Sequence, residues 1–158
     1  MIRRLPVAAL VLSASALVGI AQWEDYRGEA YTPVKGDVPT YGFGMTKRPD
    51  DSPVRMGDRT TPVRAMRDSL AHIQKEEAVL RRCVKAPLYQ VEWDLLVDHA
   101  YQYGPGTTCR SSIVREINAG RYVAACEAYL DYRLVRAAPG ERAGPGFVRG
   151  RDGVLRYD

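Results

Sequence analysis

From Leu5 to Ala21 the chain carries no charge, and two arginines, Arg3 and Arg4, stand before the run. Two short extended pieces follow, Ala30–Thr32 and Thr40–Phe43, separated by the turn-forming segment Pro33–Pro39. Met45–Asp58 is rich in Pro, Asp and Gly and reads as loop. Thr61-Pro62 then supplies a hydroxyl cap and a proline at the first helical position. Val63, Met66, Leu70, Ile73, Leu80 and Val84 recur at three- and four-residue steps, with Glu77 interrupting the stripe, which predicts a long amphipathic helix over 62–83 with a solvated charged face. Tyr89–Tyr103 carries Trp93, Leu96, Val97, Ala100 and Tyr101 at helical spacing, reads as a buried central helix and ends at Gly104-Pro105. Two further helices are predicted, Ser111–Ala119 and Tyr122–Leu134, with Gly120 as the stop between them. Beyond Pro139, the glycines at 144, 146, 150 and 153 would fray any helix.

Several helices and one small hairpin make an α+β pattern, and 158 residues suit a single domain with one sizeable core. The net charge of +4 fits an anionic polymer as partner. Nucleic acid is set aside, because the basic residues are dispersed among acids and no nucleic-acid motif is present. Three cysteines, Cys83, Cys109 and Cys126, allow one internal disulfide and leave one thiol, with the pairing open; each is equally readable as a small buried apolar side chain. His72 and His99 are isolated, no Cys/His cluster has ligand spacing, and no metal or cofactor is expected.

The stretch Glu24–Gly44, EDYRGEAYTPVKGDVPTYGFG, carries the candidate chemistry. Glu24 ends the apolar run and would face a hairpin that offers a second acid, Asp37, and a hydroxyl, Thr40. Two carboxyls in different environments can divide acid and base roles across a glycosidic bond. The Gly42-Phe43-Gly44 triplet leaves a strand edge that another backbone or a polymer can approach closely. In order, Glu24, Ala30-Tyr31, Gly36, Thr40 and Gly42-Phe43-Gly44 resemble the phage-type lysozymes, glycoside hydrolase family 24. That family places its second acid nine positions after the Glu, where this chain has Pro33; Asp37 is the nearest candidate, after a loop one residue longer. Tyr101-Gln102-Tyr103-Gly104 is similar to the family's aromatic-amide-Gly motif, and Asn118–Tyr122 to its connection between helices.

The resemblance implies a lysozyme-like fold: a small β-hairpin lobe and a mainly helical lobe joined by a long helix. It implies hydrolysis of the β-1,4 bond between N-acetylmuramic acid and N-acetylglucosamine in peptidoglycan, with inversion, by a monomeric enzyme that lyses the host. Glu24 would be the general acid, Asp37 would activate water, and Thr40 would hold that water. Gln102 and Tyr41 would contact substrate, and Arg149 or Arg151 would stand where a family Arg pairs with the catalytic Glu. Two alternatives stay open: a lytic transglycosylase on the same fold, which needs one acid, and a non-catalytic wall-binding module.

Residues 1–21 read as an export segment ahead of a catalytic domain at 22–158. Ala14-Ser15-Ala16 could be a signal-peptidase site. Against cleavage, a cut after Ala16 leaves a very short apolar region, and the run continues unbroken to Trp23 and Glu24. As a helix, residues 5–21 would span roughly 25 Å against a hydrocarbon core of ~30 Å, so insertion would be marginal. The segment resembles the signal-anchor-release element of certain phage endolysins, which implies the host inner membrane first, on its periplasmic side, and then the periplasm. Leu17, Ile20 and Ala21 recur at helical spacing, so the same residues could form the domain's first helix in water.

Overall fold

The computed structural model describes residues 3–33 and 36–133, and in the tail the backbone of short strands at 135–136, 147–149 and 155–157. The chain forms two compact units, Met1–Cys109 and Arg110–Asp158.

In the first unit, the uncharged run is not one helix. Residues 4–13 form an extended strap with a single 3₁₀ turn at Val7–Ala9, and helix α1 occupies Ala14–Glu24. Ser13 caps α1, its hydroxyl accepting from the Ala16 N–H at 3.1 Å. Among the described residues no helix is long and apolar enough to cross a membrane.

Strands β1 (Arg27–Tyr31) and β2 (Thr40–Gly42) pair antiparallel, Arg27 opposite Gly42 and Tyr31 opposite Thr40. The loop-like segment after them is tightly held rather than open. The Arg48 guanidinium donates twice to the Asp58 carboxylate, both at 2.8 Å, and Ala30 N–H and Thr60 N–H close backbone bonds across the β1 edge. Ala30, Tyr41, Met45 and Val54 form a small core inside this hairpin region, with Tyr101 packed against it.

Helix α2 spans Pro62–Cys83, capped by Thr61, whose hydroxyl accepts from Arg64 N–H. Helix α3 spans Gln90–Tyr103 and packs against α2, with Trp93, Leu96, Val97 and Ala100 fully buried. Glu76 and Glu77 of α2 are also buried, so its charged face is not simply solvated. Helix α3 ends at Gly104-Pro105, as its sequence pattern predicts, and a further helix follows at once. Pro105 opens a short helix, α4 (Pro105–Arg110), because a proline in the first turn forfeits no helical hydrogen bond. Cys83 and Cys109 are joined, leaving Cys126 free and exposed. Closing a loop over 26 residues removes unfolded-state entropy worth about 3.5 kcal/mol.

The second unit is built from α5 (Ser112–Asn118) packed against α6 (Tyr122–Ala128), with Ile113, Val114, Ile117, Ala125 and Ala128 buried. Helix α6 is shorter than its sequence pattern predicts: a 3₁₀ turn takes over at Tyr129–Arg133, and Leu134 lies outside the described residues. The glycine-rich tail holds β3 (Val135–Arg136), β4 (Phe147–Arg149) and β5 (Leu155–Tyr157), antiparallel in the order β3-β5-β4.

Candidate active site

Glu24 is the last residue of α1, and its carboxyl forms part of the wall of a cavity of about 350 Å³. Two elements bring the rest of the wall to it. The hairpin and the residues after it contribute Gly44, Met45, Thr46 and Lys47, and helices α2 and α3 contribute His72, Tyr101 and Gln102. Gly44 explains the glycine triplet. Its φ of +73° suits glycine, and a Cβ placed there would stand 2.4 Å from Glu24 Oε2. The backbone turn therefore lies close to the carboxyl, and a side chain at position 44 would require it to shift.

Burial raises the Glu24 pKa above the ordinary glutamate range, and the nearby Asp98 carboxylate raises it further. Both effects favour a proton on Glu24 at a pH where an exposed glutamate has lost it. Tyr101 donates its hydroxyl hydrogen to the Phe43 carbonyl, which ties α3 to the hairpin, and its phenol is pushed up to about 12 by burial, with Glu24 and Glu76 adding to the rise. His72 stands edge-on to the Tyr101 ring and holds a 3.2 Å contact from Nε2 to Glu76 Oε1. Glu76 is raised by burial, an effect opposed by His72.

Of the residues singled out from sequence, Glu24 and Gln102 stand on the cavity wall together. The Gln102 amide donates from Nε2 to Asp98 across long contacts of 3.4 and 3.5 Å. Thr40 is buried and donates to the Val38 carbonyl at 3.2 Å. Tyr41 is buried in the hairpin core and bonds through its backbone to Met45 in both directions. Asp37 is exposed on the connection between β1 and β2, where its carboxylate accepts from the Val38 N–H. Neither Thr40, Tyr41 nor Asp37 stands on the cavity wall. Arg151 lies outside the described residues, and Arg149 is described only as part of β4. The wall positions of Lys47 and His72 escaped the sequence reading, since a lone lysine and a lone histidine carry no spacing signal. Among the described residues no cluster of side chains could hold a metal ion.

A half-buried carboxyl at a helix end, close to a glycine turn of a β-hairpin and facing an aromatic and an amide from a buried helix, defines a lysozyme-like lytic enzyme. Residues 21–153 match the phage lysozyme family, and the chain belongs to it. An endolysin from Escherichia coli O157:H7 phage FAHEc1 superposes with a TM-score of 0.74 at 30% identity, over 87% of this chain and 85% of that one. The SAR-endolysin of Pseudomonas phage phiKMV is 28% identical over 143 residues, 90% of this chain and 85% of that protein. The endolysin of Salmonella phage P22 is 27% identical over 128 residues, 81% of this chain and 87% of that protein. Family membership makes the chain a peptidoglycan-lytic enzyme.

Proposed function

We propose that the chain is a muramidase that hydrolyses the β-1,4 bond between N-acetylmuramic acid and N-acetylglucosamine and lyses the host cell. The observation that carries this reading is Glu24, its pKa raised by burial and its carboxyl on the wall of the cavity. In the reaction, Glu24 gives its proton to the leaving glycosidic oxygen as the C1–O bond breaks. Asp37 takes a proton from the water that attacks C1, and Thr40 orients that water. Gln102 contacts the sugar from the wall, while Tyr41 acts through Met45, which it holds there. Inversion requires the two carboxyls to stand roughly 6.5–9.5 Å apart with the water between them.

The exposed position of Asp37 favours a second reading, the one-acid lytic transglycosylase. Mass analysis of digested sacculi separates the two: hydrolysis leaves reducing ends, transglycosylation leaves anhydro ends. Glu24→Gln should abolish either product, lowering the rate about 10²–10⁴-fold. Activity within a few-fold of wild type would remove Glu24 from the assignment.

The enzyme acts as a monomer on peptidoglycan, first held at the inner membrane through residues 5–21 and then released into the periplasm. The name of the phiKMV relative supports this order, and so does the strap. A cut after Ala16 would remove the Ser13 cap of α1 and the bonds by which Arg4, Leu12 and Ser13 hold the strap to Glu92, Glu77 and Asp94. The periplasmic protein should therefore begin at or near Met1, and a mass that starts at Leu17 would overturn release in favour of cleavage.

A further inference from the structure

Helix α1 carries the acid but is poorly held by its own packing. Ile20 is its one buried residue, Val18 is exposed, and Trp23, next to Glu24, is 89% exposed. A helix so lightly packed is positioned by what grips its ends. At its C-terminal end Glu24 rests against Gly44. Its N-terminal end is gripped by two acids from other helices.

Glu77 of α2 is buried, and its Oε1 accepts from the Leu12 N–H at 2.8 Å, the Trp93 Nε1–H at 2.8 Å and, more distantly, Arg81 at 3.4 Å. Arg81 also donates to the Leu10 carbonyl at 2.6 Å. Asp94 of α3 accepts from the Ser13 N–H at 2.9 Å and from the Ser13 hydroxyl at 2.7 Å, and that hydroxyl is the cap of α1. Gln90 bridges the same place, donating to Asp94 and to the Val11 carbonyl. Thus each strap residue from Leu10 to Ser13 has a backbone group bonded to a side chain of α2 or α3. Backbone groups of an extended strap have no partners of their own, and these side chains supply them. The acids are charged acceptors for N–H donors, the stronger kind of hydrogen bond.

We propose that Glu77 and Asp94 are positioning residues for Glu24: they capture the N–H groups of Leu12 and Ser13 and so fix the helix that carries the acid. The proposal rests on Glu24 as the general acid. Glu77 does not line the cavity; it reaches Glu24 through the strap and α1, and it also accepts from Trp93 of α3. Over the 11 residues of α1, about 16 Å long, a small tilt at the N-terminal end moves the carboxyl relative to the hairpin. A displacement of ~1 Å at the reacting group can cost about 10²-fold in rate.

The test uses the full-length released protein. Glu77→Leu and Asp94→Ala should each lower kcat on sacculi by ~10-fold or more, with KM within about two-fold, because substrate contacts stay in place. Glu77→Gln should restore kcat to within a few-fold of wild type, since an amide oxygen still accepts from Leu12 and Trp93. Hydrogen exchange across residues 14–24, read by mass spectrometry, should accelerate in Glu77→Leu and Asp94→Ala and remain at the wild-type rate in Glu77→Gln. Asp94 is only partly buried, so its variant keeps the fold if Glu77→Leu does not. Unchanged exchange over 14–24, or wild-type kcat in Asp94→Ala, overturns the proposal. If wild-type protein releases no product from sacculi, the functional reading fails instead, and the exchange data still decide what holds α1.

Discussion

Helices α1 and α3 both reach the cavity, and they are held there in opposite ways. Helix α3 buries Trp93, Leu96, Val97, His99 and Ala100 and delivers Tyr101 and Gln102 from its last turn. Helix α1 buries Ile20 and delivers Glu24. One helix is placed by an apolar face, the other by hydrogen bonds at its start and a glycine contact at its end. Packing free energy scales with the area buried and resists removal. A tether of a few hydrogen bonds contributes about 1 kcal/mol each, more where the acceptor is charged, and can be made or undone as a unit. The reacting group thus sits on the more lightly packed of the two helices.

The comparison breaks first at α3. Trp93→Ala should cost about 3–5 kcal/mol, a large part of the ~5–15 kcal/mol of a typical domain, because it empties a fully buried site and strips Glu77 of a donor. Ile20→Ala should cost less, about 2 kcal/mol, since α1 has little else to lose and can settle. Urea unfolding midpoints of the two variants decide it; equal losses would mean that α1 is held by packing after all.

Next, the tethered helix can be biased toward its other environment. Ala14 and Ser15 are exposed, and a Cβ at Gly19 meets nothing within 4 Å, so leucines at all three positions fit the folded domain. In a bilayer they strengthen insertion by about 2–3 kcal/mol in total, enough to shift the released fraction ~30-fold or more. The triple variant should stay in the membrane fraction and fail to lyse, yet retain wild-type kcat once extracted in detergent and refolded. Release at the wild-type level would remove the anchor role of residues 5–21.

The smallest effect concerns Glu24 itself. Its folded pKa is raised, so its contribution to stability is fully present below the unfolded value and is lost as pH rises through the folded value. The raised pKa therefore makes the folded state less stable above the unfolded value than below it. Glu24→Gln should be more stable than wild type at pH 7, and the gap should close below about pH 4. Identical urea midpoints at both pH values would show that the carboxyl is not held in a desolvated place.

Local rules made much of this legible. Thr61-Pro62 and the apolar stripe fixed α2 at Pro62–Cys83, because cap and face are encoded within the helix itself. Glu24 and the Gly-Phe-Gly triplet were both readable, but the triplet was read as an edge open to a polymer or another backbone, and the closeness of Gly44 to the Glu24 carboxyl emerges only in the fold. The strap was not readable: its partners lie 65–88 residues away, and a backbone bonded to distant side chains leaves no periodicity. Glu77 illustrates the difficulty, since in sequence it only interrupts the stripe of α2, and in the fold that interruption is what holds Leu12. His72 reached the cavity for the same reason unseen, through the azimuth of α2 rather than any motif.

The bond between Cys83 and Cys109 has a mechanical consequence. Tension applied along the chain passes from one sulfur to the other, so residues 84–108 lie off the line of force and α3 cannot be drawn out. The strap lies on that line and is bonded side-on, so its hydrogen bonds break one after another rather than together. A pull on the N-terminus would unzip residues 4–13 and unseat α1 while leaving the wall that bears Tyr101 and Gln102 inside its covalent ring.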